Sequence, residues 1–321
     1  MTQVTIDQIP SLDLNDFING NETDKKRFVE KLGEAYSQIG FVAIKNHYLK
    51  VETQTGLYAA VEDFFTLEQA VKDKYEDEEI QGQRGYIGKM KEHAQGCSTP
   101  DLKEFYHIGQ IIDPTDPDTL DYPANVFPTE VPGLAKDGIL AFSNLEETGI
   151  YMLRAIALFL GLDEFYFDNK VKNGNSILRP IHYFPIENPD TLPKDAVRAA
   201  EHTDINLITL LMGASAEGLQ VLRHDGVWIP ITALPEQLVV NVGDMLSRLT
   251  NNKLKSTVHR VVNPPKDQMN QPRFSIPFFM HPKSNMDLSC LDNCIDADHP
   301  KLYPDTTAGA FLEQRLKEIG F

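Results

Sequence analysis

The sequence predicts a mainly β fold with flanking helices, of the α+β type, and three observations lead to it. From residue 176 onward, short apolar and β-branched runs recur between turn residues. Before that point, apolar residues fall at three- and four-residue intervals, the spacing of one helix face. The composition, 41% apolar with 17 Phe and 11 Tyr, can fill a sizeable core and excludes a mostly disordered chain.

The first helix is expected around residues 28–39, where Phe28, Leu32, Ala35, Tyr36 and Ile39 share a face and Gly40 supplies the stop. The apolar run Gly40-Phe41-Val42-Ala43-Ile44 then reads as a strand. Residues 57–75 read as further helix, interrupted near Thr66, and run into Glu76-Asp77-Glu78-Glu79, a solvated acidic face. Between 81 and 132, glycines and prolines recur without a sustained period, so this stretch is loop and short strand and can serve as a lid. Residues 134–160 restore helical spacing, with Leu134, Ala141, Leu145, Met152, Leu153, Ile156 and Leu160 in one stripe, and should form the longest helix.

Beyond Asn175, strands are expected at 177–183, 208–212, 219–222, 227–231, 238–242, 245–249, 257–262 and 274–280. About eight strands in roughly one hundred residues make a sandwich or a barrel. Residues 306–319, with Phe311, Leu312, Leu316 and Ile319 on one side, read as a closing helix. No repeat or low-complexity linker divides the chain. Residues 1–175, mainly helical, are therefore expected to pack on a β core at 176–321 as one compact unit.

With 30 Lys+Arg against 47 Asp+Glu, the net charge of −17 repels phosphate backbones and anionic lipid. The expected partner is a small molecule, with no nucleic acid and no membrane. Cys97, Cys290 and Cys294 are too few for a disulfide framework, lack zinc-ribbon spacing and read as reduced thiols. The opening residues show no basic and apolar leader pattern, so a cytoplasmic location is expected. The spacing of Gly82, Gly85 and Gly88 matches no nucleotide-binding loop.

The sharpest chemical feature is His202-Thr203-Asp204. On a strand, residues two apart point to the same face, so an imidazole and a carboxylate can grip one metal ion. By itself the pair also fits a surface strand end. His259, in the strand-like run Thr257-Val258-His259-Arg260-Val261, can supply a third ligand. Two histidines and one carboxylate on one face leave coordination positions open, as suits non-haem Fe(II) and dioxygen. Arg273-Phe274-Ser275 alternates in the same way, and its guanidinium and hydroxyl can clamp a carboxylate, although a strand-edge arginine is the plainer alternative. Together the two groups fit a dicarboxylic 2-oxo acid that touches both.

At this point the chain resembles the iron- and 2-oxoglutarate-dependent dioxygenases of the isopenicillin N synthase-like group, along nearly its whole length. The motifs, in order, are Ile9-Pro10-Ser11-Leu12-Asp13-Leu14, Gly40-Phe41-Val42-Ala43-Ile44-Lys45-Asn46-His47, Arg84-Gly85-Tyr86 and Asp101-Leu102-Lys103-Glu104-Phe105-Tyr106-His107-Ile108-Gly109. They continue through His202-Thr203-Asp204, Gly226-Val227-Trp228-Ile229-Pro230, Asn241-Val242-Gly243-Asp244, Lys255-Ser256-Thr257-Val258-His259-Arg260-Val261 and Arg273-Phe274-Ser275. The resemblance implies a double-stranded β-helix, or jelly roll, with Fe(II) on His202, Asp204 and His259. It also implies that Arg273, Ser275 and Tyr183 hold the distal carboxylate of 2-oxoglutarate, and that dioxygen and a small organic substrate are consumed while succinate and CO2 are released. Where the family often has asparagine, two residues before the tyrosine, this chain has Ile181.

Three alternatives share these residues: an iron oxidase of the same family that does without 2-oxoglutarate, as isopenicillin N synthase and the aminocyclopropane-carboxylate oxidases do; a zinc hydrolase; and a non-catalytic jelly-roll binding module. The hydrolase ranks low, because no His-Glu-x-x-His helix and no separate general base are evident. Tyr86, Phe105 and Tyr106 either line the pocket mouth or pack the lid onto the barrel. His47, His93, His107, His281 and His299 show no ligand pairing, His182 and His224 read as structural or exposed, and Trp228 reads as a core residue.

Overall fold

Asn21 starts the first long helix, because its side chain accepts hydrogen bonds from the backbone N–H groups of Thr23 and Asp24. In the computed structural model of the chain, residues 8–318 are described apart from 78, 81, 93–98, 112, 114, 116–121, 194–195, 214–216, 232–233 and 235. The expectations for His93, Cys97 and Ile319 lie outside the described residues.

A short strand β1 (Ser11–Asp13) and helix α1 (Leu14–Ile18) precede α2 (Glu22–Gln38), which buries Phe28, Leu32, Ala35 and Tyr36 as the spacing requires. Gly40, at φ +74°, turns the chain into β2 (Phe41–Lys45), and a Cβ there would meet the Lys255 carbonyl oxygen at 2.1 Å. Helices α3 (Val51–Phe65) and α4 (Gln69–Lys72) are separated at Thr66 as expected, and strands β3 (Gly85–Ile87) and β4 (Glu104–Gly109) follow. Helix α5 (Pro132–Phe159), at 28 residues, is the longest among the described residues. The short α6 (Asp168–Val171) closes the N-terminal half.

The second half supplies β5 (Ile177–Leu178), β6 (Ile181–Tyr183), β7 (Ala199–His202), β8 (Ile208–Met212), β9 (Leu219–Leu222), β10 (Trp228–Pro230), β11 (Leu238–Val242), β12 (His259–Val261) and β13 (Arg273–Met280). The run expected at 177–183 is two strands, because Pro180 has no N–H to give the ladder. The strand expected at 245–249 is instead helix α7 (Asp244–Leu249). Met245, Leu246 and Leu249 are buried along it and Asp244 occupies its first turn, an apolar run too short for periodicity to distinguish helix from strand. Helix α8 (Ala308–Glu318) closes the chain. No helix of the described residues is long and apolar enough to cross a membrane.

The strands form a jelly roll of two sheets. The larger runs β1-β2-β11-β8-β13-β5-β4-β3, with β6 joining β13 to β4, and the smaller runs β10-β9-β12-β7. Alternation along β13 places every second residue on opposite faces. Phe274, Ile276, Phe278 and Met280 join the large apolar cluster shared with α3 and α5, whereas Ser275, Pro277 and Phe279 face a cavity between the sheets. A smaller cluster that includes Phe41, Phe105, Ile181, Ala199, Val221 and Val261 lines the interior of the roll. Burying apolar side chains on both faces stabilises the large sheet, at roughly 25 cal/mol per Å² removed from water. The result is a rigid frame around the cavity.

Candidate metal and co-substrate site

His202 is the last residue of β7 and pairs directly with His259 of β12, so the two imidazoles lie with ring centroids 4.3 Å apart. Asp204 lies two residues beyond the strand end, where its backbone carbonyl accepts from the N–H of Asp244 at 2.7 Å. One donor atom from each of His202, Asp204 and His259 falls within 4.8 Å of the others, and His259 Nε2 stands 3.7 Å from Asp204 Oδ1. Strand register brings the histidines together, and the turn after β7 brings the carboxylate.

The surrounding groups prepare these donors. His202 Nδ1 faces the Ala200 carbonyl at 2.7 Å and His259 Nδ1 faces the Thr257 carbonyl at 3.2 Å. Each Nδ1 therefore carries the proton, and each Nε2 presents a lone pair inward. Asp204 Oδ2 accepts from the Thr209 hydroxyl at 2.6 Å and from the Asn241 amide at 2.8 Å, which leaves Oδ1 toward the histidines. Burial, and after it the neighbouring His259, push the His202 pKa down to about 4. Burial would raise that of Asp204, but His259, His202, Asn241 and Thr209 hold it below the usual carboxylate value. A neutral His202 imidazole beside an ionised Asp204 carboxylate suits the binding of a divalent cation.

A second group stands across the same cavity, whose volume is about 630 Å³. Ser275 and Tyr183 line it. Register pairs Arg273 with Tyr183 and Ser275 with Ile181, so all four share the inward face of neighbouring strands. The Arg273 guanidinium is 1% exposed and lies 4.9 Å from the centre of the Tyr183 ring. A guanidinium, a hydroxyl and a phenol grouped at one end of a buried cavity have the donors to bind a carboxylate. His202, Asp204, His259, Tyr183 and Ser275 thus line one cavity.

Several lining residues escaped sequence reasoning. Arg179 faces the cavity, its guanidinium packed over the rings of Phe105 at 4.5 Å and Phe279 at 5.0 Å. Its Nε donates to His107 Nε2 at 2.5 Å, while His107 Nδ1–H donates to the Gly82 carbonyl at 2.6 Å. Arg179 Nη1 donates to Glu92 at 3.2 Å, and Lys103 Nζ donates to Glu92 at 2.7 Å and Asp101 at 2.8 Å. Burial would lower the Lys103 pKa, but Glu92 and Asp101 hold it above the usual value. Burial pushes that of His281, also on the wall, down to about 4, with the Arg179 charge adding to the effect. Strand parity held the missing signal, since Arg179 and Ile181 share alternate positions with Tyr183.

Other side chains settle elsewhere. Tyr86 and Tyr106 pack edge-on against Phe64 of α3, while Phe105 faces inward. His182 points away from the cavity, binding Glu104 at 2.8 Å and stacking on Phe274. Trp228 is half-buried rather than a core residue, with the Arg260 guanidinium 3.9 Å above its ring.

Residues 9–130 match the family described as non-haem dioxygenase in morphine synthesis N-terminal, and residues 174–282 match the 2OG-Fe(II) oxygenase superfamily. A 2-oxoglutarate-Fe(II) type oxidoreductase, ppzC of Metarhizium rileyi, is 31% identical over 97% of this chain and 87% of its own length. A crystal structure assigned to the 2OG-Fe(II) oxygenase family, from Caulobacter crescentus, is 40% identical with a TM-score of 0.85, covering 98% of this chain and 99% of that one. A full-length protein of Neurospora crassa, crystallised in complex with alpha-KG and thymine, is 31% identical with a TM-score of 0.85 over 96% of each chain.

Proposed function

This chain belongs to the 2OG-Fe(II) oxygenase superfamily, and on that premise we propose that His202, Asp204 and His259 bind the iron while Arg273, Ser275 and Tyr183 hold the distal carboxylate of 2-oxoglutarate. The enzyme is a non-haem Fe(II)- and 2-oxoglutarate-dependent dioxygenase acting on a small molecule. The observation that carries the residue assignment is the convergence of two imidazoles and one carboxylate on the cavity that Ser275 and Tyr183 also line.

Held by His202, Asp204 and His259, iron would supply, with dioxygen as the oxidant, the oxidative decarboxylation of 2-oxoglutarate to succinate and CO2 and the oxidising power for a substrate C–H bond. The protein's part is to bind, orient and shelter. Thr209 and Asn241 fix the Asp204 carboxylate, and the Ala200 and Thr257 carbonyls fix the two imidazole planes. Arg273, itself buried, neutralises the far carboxylate. The wall bearing Arg179, His107 and His281 faces the remaining space, which favours a small organic substrate with hydrogen-bonding groups, oxidised by hydroxylation.

The chain reads as one compact unit, since β1 to β4 of its first 175 residues complete the large sheet. The net charge of −17 favours a protein without a nucleic-acid or anionic-membrane partner. Anaerobic addition of Fe(II) and then 2-oxoglutarate should give the weak visible charge-transfer band of the chelate. His202→Ala and Asp204→Ala should each abolish both the band and succinate formation. Succinate release at the wild-type rate from either variant refutes the ligand assignment, and a wild-type protein that gives no band refutes the co-substrate site.

A further inference from the structure

We propose that Lys103 is a further binding group for the 2-oxo diacid, extending the Arg273 and Tyr183 row across a third strand and donating its remaining ammonium N–H to the co-substrate. The inference rests on the co-substrate reading above.

Three antiparallel strands set the row. Between β4 and β6, Phe105 is paired with Ile181 and Glu104 with His182, so one further step along the chain places Lys103 opposite Tyr183. Between β6 and β13, Tyr183 is paired with Arg273 and Ile181 with Ser275. Because side chains alternate, Glu104, His182 and Phe274 share the outer face, where Lys72 and Phe65 meet them. The inner face carries Lys103, Tyr183 and Arg273 in one row and Phe105, Ile181 and Ser275 in the next. Lys103, Tyr183, Ile181 and Ser275 all line the cavity. The inner face therefore presents a cation at each end of one row and an apolar Ile181 beside it, a pattern suited to a short dicarboxylate with a methylene middle.

The Lys103 ammonium is held for this task. It is 7% exposed, and two of its three N–H groups are committed to Glu92 at 2.7 Å and Asp101 at 2.8 Å. Asp101 Oδ1 in turn accepts from the backbone N–H of Ala200 at 3.0 Å, and the Leu102 N–H donates to the Val197 carbonyl at 3.0 Å. The Lys103 segment is thereby tied to the strand that carries His202. Glu92 is held from its other side by Arg179. Lys103, Arg179, Glu92 and Asp101 sum to zero charge, so the third N–H acts chiefly as a directed donor, and a charge-assisted bond of this kind changes affinity by about 10- to 100-fold.

The test is anaerobic titration of Lys103→Met with Fe(II) and then with 2-oxoglutarate, reading each dissociation constant separately beside the melting temperature. Expected is a 2-oxoglutarate Kd raised about 10- to 100-fold with the Fe(II) Kd within about twofold of wild type, and recovery of most of the loss in Lys103→Arg. If Lys103→Met does not fold, Lys103→Gln replaces it, since its amide can still donate to the carboxylates, with an expected loss of about 10-fold. A 2-oxoglutarate Kd unchanged in the variant while the wild type binds overturns the proposal and leaves the reading of Arg273 intact. Parallel losses of Fe(II) and 2-oxoglutarate affinity with a lowered melting temperature also overturn it, because Lys103 would then only brace the lid. A wild type that binds Fe(II) but no 2-oxoglutarate removes both readings.

Discussion

Asp204 illustrates how one residue is set by its neighbours. Its Oδ2 is occupied by Thr209 and Asn241, so only Oδ1 is directed toward the histidines. Thr209→Val keeps the side-chain shape and removes the donor, and the expected outcome is a Fe(II) affinity lowered about 10- to 100-fold with the fold preserved. Fe(II) titration with circular dichroism as control checks this, and unaltered affinity would show that Asn241 alone suffices. Glu104 shows the opposite use of a buried carboxylate. It binds Lys72 at 2.9 Å, His182 at 2.8 Å and Tyr86 at 2.5 Å on the outer face, tying α4, β3, β4 and β6 together without touching the cavity.

Among the elements, the turn between α2 and β2 governs where the sheet begins. Gly40 combines a positive φ with a close approach to the Lys255 carbonyl, and Phe41 immediately after it packs edge-on against His259 at 5.7 Å. Gly40→Ala should therefore cost about 2 kcal/mol or more of stability, read as a lower urea midpoint with an unchanged slope. An unaffected midpoint would mean that the turn relaxes freely. Helix α7 was invisible to periodicity because six residues give either pattern, and the hydrogen bonds that join its start to Asp204, Ile205 and Asn206 are tertiary. The same short element positions Asp244, which accepts from Thr203 and Ser256 beside the proposed metal ligands.

Over the whole molecule, α8 folds back so that Gly309, Leu312 and Leu316 help wall the cavity, with Arg315 3.6 Å from Asp244. The burial of two histidines also sets a pH dependence. Burial holds His202 and His281 at about 4, below the ordinary value of 6.5. An unfolded chain takes up those protons as pH falls below the ordinary value, whereas the folded chain resists until about 4. The stability they contribute is thus complete above pH 6.5 and lost between about 6.5 and 4. The melting temperature of metal-free protein should fall across that window, and His281→Gln should flatten the decline. Equal slopes in both proteins would exclude His281 as a contributor.

Alternation and motif order made much of this legible in advance. β8, β9 and β11, the long α5, and the inward pairing of Arg273 with Ser275 each follow from local spacing, because period-2 and period-3.6 burial is written into the chain residue by residue. Lys103 and Glu92 gave no such signal, since a charged side chain in the glycine- and proline-rich stretch 81–132 reads as solvated. Only the folded chain puts Lys103 against Glu92 and Asp101 and turns it inward beside Tyr183. The sequence by itself determined which residues have metal-binding chemistry and which faces are apolar. The tertiary structure decided which of them meet, because the convergence of Asp204 with two strand-paired histidines, and the walling of their cavity by Glu92, Lys103 and α8, depend on contacts between segments far apart in the chain.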